Sequence, residues 1–130
     1  MNITGEKVLI NKPAEEIYSL TSQPAEYEKF MPENIDSFKA NDEGFTFALK
    51  GMPEIALKIK EQTPVSGVVL TSAKESLKFD LSLSIEKVSD TSCEIQFIFD
   101  GKFNMFVSSM VEKPLKNFIV SLTQGIANLP

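Results

Sequence analysis

A chain of 130 residues can bury a core of its own without disulfide or metal staples, and residues 1–130 read as one domain. Apolar residues make up 42% and charged residues 24%, the balance of a globular rather than a disordered protein. The net charge of −5, with lysines interleaved among acids, offers no basic footprint, which disfavours nucleic acid and stable membrane association.

No histidine is present. That removes the usual general base near neutral pH, the Ser-His and Cys-His nucleophile pairs and the commonest metal ligand, so no cofactor and no metal are expected. The single Cys93 rules out an internal disulfide. The first residues lack the apolar core of a signal peptide, and no apolar run approaches a membrane span, so the expected location is cytoplasmic.

Residues 2–11 read as a strand that ends at Asn11-Lys12-Pro13, where Asn11 is placed to cap a helix with Pro13 in its first turn. Ala14, Ile17, Tyr18 and Leu20 give a short amphipathic helix to about Thr21. A second follows Gln23-Pro24, carries Tyr27, Phe30 and Met31, and stops at Pro32. The period then becomes two. Residues 35–39 form a strand, Asn41-Asp42-Glu43-Gly44 a turn, and Phe45, Phe47 and Leu49 one face of the next strand. Gly51-Met52-Pro53 breaks the ladder, and Ile55, Leu57 and Ile59 resume it up to a turn at residues 63–67.

Residues 67–73 are a short apolar strand. Val68 and Leu70, like Ile98 further on, fall on faces that alternation calls outward or leaves unassigned; an oligomer contact is one reading, but single surface apolar residues are normal and decide nothing. Leu77, Phe79, Leu81, Leu83 and Ile85 form the dry face of a long strand, and Cys93, Ile95, Phe97, Phe99, Gly101 and Phe103 that of its successor. Gly101 leaves room or permits curvature there. From about Asn104 to Asn128 the period returns to 3.6, with Phe106, Met110, Phe118, Leu122 and Ile126 on one face and Val107, Leu115 and Ile119 beside it. Pro114 predicts a kink or split just before it, near Glu112-Lys113.

The expected fold is α+β, a curved antiparallel sheet of about seven strands with two short helices after the first strand and a long C-terminal helix. Ile10-Asn11-Lys12-Pro13-Ala14-Glu15-Glu16-Ile17-Tyr18 resembles the strand-to-helix entry of the START/SRPBCC superfamily. The segment from Gln23-Pro24 to Phe30-Met31-Pro32 is similar to its second helix, with Phe30 where Trp is more usual. Met110-Val111-Glu112-Lys113-Pro114-Leu115 looks like the start of the closing helix in small bacterial members. The resemblance spans the chain. It implies the helix-grip fold of the birch-pollen allergens and the polyketide cyclase/dehydrase-like proteins, with a cavity between sheet and helix. No particular catalytic residue follows from it.

Cys93 apart, the inward faces carry no ionisable group, which suits a lipid, isoprenoid or polyketide-like guest. The residues expected to contact it are Phe47, Leu57, Phe79, Leu81, Phe97, Phe99, Phe106, Met110, Phe118 and Tyr27. The plainer alternative is a core filled by its own Phe rings. Tyr18, Tyr27, Thr71, Cys93, Ser108, Ser109 and Gln124 are the polar groups able to reach an apolar space, although for both tyrosines a hydroxyl at the surface is the simpler reading. Met52, Met105 and Met110 would flank an adaptable entrance, or merely fill gaps. The pairs Glu15-Glu16 and Glu26/Glu28 fit the positive end of a helix better than acid–base work. The leading expectation is a non-enzymatic binder or carrier of a small hydrophobic molecule. The rivals are a polyketide cyclase/dehydratase-like enzyme, which needs a base near its guest, and a protein-interaction subunit with a filled core.

Overall fold

Alternating apolar residues build one antiparallel sheet in a computed structural model that describes residues 1–50, 54–74 and 78–129. In chain order the elements are β1 (Asn2–Thr4), β2 (Val8–Ile10), α1 (Ala14–Thr21), a 3-10 helix (Pro24–Phe30), β3 (Ile35–Ala40), β4 (Gly44–Leu49), β5 (Ile55–Thr63), β6 (Gly67–Ser72), β7 (Phe79–Ser89), β8 (Ser92–Gly101) and α2 (Met105–Ala127). The strands run in the order β1-β8-β7-β6-β5-β4-β3, with β2 also on β8, so the first strand closes onto the last and hairpins supply the rest. The expected α+β helix-grip architecture is what forms.

The sheet has eight strands because the first expected strand is broken. Thr4 lies opposite Ile98 but Val8 lies opposite Ile95, so one extra residue is accommodated between β1 and β2. Gly5 sits at the break. Its amide donates to the Phe97 carbonyl at 2.8 Å, and an added Cβ would stand 3.0 Å from both that oxygen and Ile119 of α2. Asn11 does not cap α1. The cap position is Pro13, whose carbonyl accepts from the Glu16 and Ile17 amides, and no side chain caps the helix. The β3–β4 turn is fastened as its sequence suggests, with the Asn41 Oδ1 accepting from the Glu43 and Gly44 amides.

The inner face of the sheet carries Phe45, Phe47, Leu57, Phe79, Leu81, Leu83, Ile95, Phe97 and Phe99, all buried. Val68 and Leu70 join them at 1% and 2% exposure, which corrects their outward assignment. Register decides the matter, since Val68 is opposite Leu83 and Leu70 opposite Leu81. The continuous apolar run of β6 hides its own alternation. Ile98 is partly buried on the other face.

Helix α2 lies over the inner face through Phe118, Ile119, Leu122, Thr123 and Ile126. Asn104 caps it, with its Oδ1 accepting from the Val107 amide at 2.8 Å. The helix runs unbroken through Pro114, against the expected split. Pro114 deprives the Met110 carbonyl of its helical donor, but this stretch is open to water, which can take the donor's place. None of residues 105–114 is buried.

Candidate functional site

The sheet and α2 meet in an apolar seam built mainly by six of the residues singled out from sequence. Phe47, Leu57, Phe79, Leu81, Phe99 and Phe118 line it together with Ile55, Leu115 and Ile119. Among the described residues no lining side chain is polar. The seam is closed by rings: Phe47 stacks on Phe118 at 4.9 Å and 13°, and Phe79 on Phe99 at 5.0 Å and 28°. Residual space amounts to about 10 Å³, at the limit of what one water needs and without polar partners for it. The room left by Gly101 is taken by the Phe103 ring, whose Cζ would stand 2.9 Å from an added Cβ.

A second space adjoins the seam across Phe118. This cleft, about 280 Å³, lies between α2, the start of β3 and the end of β4, and is lined by Pro32, Asn34, Leu49, Lys50, Pro114, Asn117, Phe118 and Ser121. Its floor is apolar. Its rim offers one ammonium (Lys50), two amides (Asn34, Asn117) and a hydroxyl (Ser121). Backbone pairing fixes the two rims together, since the Lys50 amide donates to the Asn34 carbonyl at 2.9 Å. Phe118 is the residue shared by the apolar interior and this partly polar cleft. None of these rim residues was picked out from sequence. The available signal was Asn117 and Ser121, four apart along one flank of α2's apolar stripe.

The other sequence-derived contacts lie elsewhere. Phe97 is buried opposite Leu83, away from the seam. Tyr27 is buried against Phe45, with ring centroids 4.7 Å apart, and its hydroxyl donates to the Thr21 carbonyl at 2.7 Å. That corrects the reading of a surface hydroxyl, and burial pushes the phenol above its usual range. Phe106 and Met110 are not inside at all, being 75% and 62% exposed. The five-residue face read from Phe106 to Ile126 steps by four, and each step of four overshoots a helical turn by about 40°. By Phe106 the accumulated drift carries the side chain to the far side of the helix from Ile126. The residues that face the sheet there are the partly buried Val107 and Val111.

Among the polar candidates, Thr71 is engaged with Asp80, its Oγ1 donating to the carboxylate at 2.7 Å. Cys93 is fully buried, and burial, with the Glu15 charge adding to it, raises its thiol pKa. Tyr18 and Ser108 are partly buried, Ser109 and Gln124 exposed. Of the methionines expected at an entrance, Met105 is 90% exposed at the start of α2, while Met52, like Leu77, lies outside the described residues.

No family model and no curated protein sequence matches the chain. Solved structures do. Norcoclaurine synthase from Thalictrum flavum, in complex with dopamine and hydroxybenzaldehyde, aligns with a TM-score of 0.74 at 12% identity, covering 98% of this chain and 84% of that one. A conserved protein from Geobacillus kaustophilus gives 0.75 at 12% identity over 98% and 93%. A START superfamily protein from Mycobacterium smegmatis gives 0.67 at 15% identity over 97% and 96%. The chain has a START/SRPBCC-type helix-grip fold. Identities this low carry the fold and leave function to the site. No helix among the described residues is long and apolar enough to cross a membrane.

Proposed function

We propose that the protein binds a small hydrophobic molecule bearing one polar or anionic end. The apolar body sits in the Phe47–Phe118 seam beneath α2, and the polar end lies in the Lys50 cleft. The observation that carries this reading is the position of Phe118, which lines both spaces. Swinging its ring toward the cleft joins a wholly apolar interior to a rim with one cation and three neutral polar groups, the usual composition of a ligand site. The seam is closed by its own rings and has to open to admit a guest. The side that must give is the N-terminal half of α2, where none of residues 105–114 is fully buried.

A lipid, isoprenoid or polyketide-like molecule suits this shape. A binder or carrier fits better than a cyclase-like enzyme. The described seam and cleft linings contain no carboxylate or thiol to serve as a base. The test is a thermal-shift panel of medium-chain fatty acids, the matching alcohols, isoprenoid alcohols and polyphenols, with Lys50→Gln in parallel. Saturable stabilisation, with the acids losing more than the alcohols in Lys50→Gln, is the expected outcome. No stabilisation by any member sinks the proposal. The second reading, a protein-interaction subunit with a filled core, would then stand on the exposed Met105, Phe106 and Met110.

A further inference from the structure

The ligand site makes no use of the charge gathered on the outer face of the sheet. Across the end of β5–β8 runs a groove of about 740 Å³ that holds Lys58, Lys60, Lys74, Lys78 and Lys102 together with Asp80 and Asp100. Five of thirteen basic residues, in a chain of net charge −5, thus share one concavity with two carboxylates. Asp80 is already satisfied. Thr71 donates to one of its oxygens at 2.7 Å and Lys60 to the other at 3.0 Å. Lys74 has Glu54 at 3.9 Å. Lys58, Lys78 and Lys102 make no ion pair among the described residues.

Lys78 and Lys102 also stand side by side. The Lys102 amide donates to the Lys78 carbonyl at 3.4 Å, one step beyond the registered pair Phe79–Gly101, and both side chains are exposed. Like charges on neighbouring strands repel, a cost that an anion between them reverses. Exposed Asp100 subtracts one charge, and among the described residues the groove keeps an excess of positive charge. The spacing selects the anion. Lysines on β5 and at the ends of β7 and β8 span three inter-strand steps, about 14 Å, more than one phosphate bridges. The volume matches a small molecule, and lysine binds phosphoryl oxygens as a point charge needing no fixed fork.

We infer that this groove binds a small soluble anion with two or more adjacent phosphoryl groups, as in an organic diphosphate or a condensed phosphate. The inference is independent of the hydrophobic guest, which lies on the other face of the sheet.

Tripolyphosphate is the probe, followed by amide NMR and calorimetry at low and physiological salt, with anionic lipid vesicles in a parallel arm. One saturable site is expected, with shifts confined to the β5–β8 end and weakening as salt rises. The double variant Lys78→Gln/Lys102→Gln should lose roughly tenfold in affinity, about 1.4 kcal/mol, while Lys87→Gln/Lys113→Gln stays within about twofold. Equal losses in both double variants, non-saturating shifts, or binding to vesicles without binding to tripolyphosphate would each overturn the inference.

Discussion

Truncating Phe118 to alanine removes the ring of the residue that the seam and the cleft share. Phe118 is 5% exposed and stacked on Phe47 at 4.9 Å, so nearly its whole transfer free energy is at stake. Phe→Ala in a core costs about 3–5 kcal/mol, of which ring stacking accounts for about 0.5–1.5. Two effects pull toward the lower end. Neighbouring side chains relax partly into the vacated space, and alanine is the better helix former by about 0.5 kcal/mol. A net loss of about 3 kcal/mol follows. With a urea slope near 2 kcal/mol/M, the unfolding midpoint should fall by about 1.5 M. The vacancy should also bind small apolar probes, since engineered apolar cavities of about 150 Å³ stay dry and take benzene. Thermal stabilisation of the variant by benzene, absent in the parent, is therefore expected. A midpoint shift below about 0.5 M, with no benzene response, would show that Phe118 does not close the seam.

Three further changes probe the packing and the charges. Gly125→Ala places a Cβ 2.6 Å from the Phe30 carbonyl oxygen, and overpacking of about 1–3 kcal/mol should outweigh the helix propensity of about 1 kcal/mol that alanine returns, so the melting temperature falls. Tyr27→Phe leaves the Thr21 carbonyl without its donor and should cost about 1–2 kcal/mol in denaturant unfolding. Because the folded phenol ionises above its unfolded value near 10, Tyr27's contribution is whole below about pH 10 and lost as the pH rises further. An ultraviolet titration should then show its ionisation coinciding with alkaline unfolding. Asp80 has the opposite sign. The Thr71 hydrogen bond first, then Lys60, holds its carboxyl below the usual range, so its contribution is present above about pH 4 and lost as the pH falls through the lowered value. Asp80→Asn should flatten that acid limb, and, the site being part-exposed, should change neutral stability by less than about 1 kcal/mol.

How far the sequence could be read depended on how cleanly each element separates its faces. In β7 and β8 the inner residues alternate with mostly polar ones, Ile98 being the exception, so Leu81, Leu83, Phe97 and Phe99 were placed correctly from spacing alone. In β6 both faces carry apolar side chains, and only pairing with β7 decides that Val68 and Leu70 point inward. The extra residue near Gly5 shows in pairing with β8, not in composition. Along α2 a step of four matched too long a stretch and carried Phe106 and Met110 to the wrong side, while Phe118 and Leu122, near the packed end, were right. The seam was legible because it is made of alternating hydrophobes. The cleft was not, because Asn34, Lys50, Asn117 and Ser121 come from three separate segments and each looks like an ordinary surface residue.

The most direct measurement is amide and aromatic NMR of the protein with a saturating medium-chain fatty acid, reading contacts between the alkyl protons and assigned side chains. Contacts to Phe47, Leu57 and Phe118, with the Lys50 amide shifting and residues 105–114 moving together, are the predicted result. Contacts limited to Met105, Phe106 and Met110, with the Phe47 and Phe118 rings unmoved, would contradict a guest beneath α2.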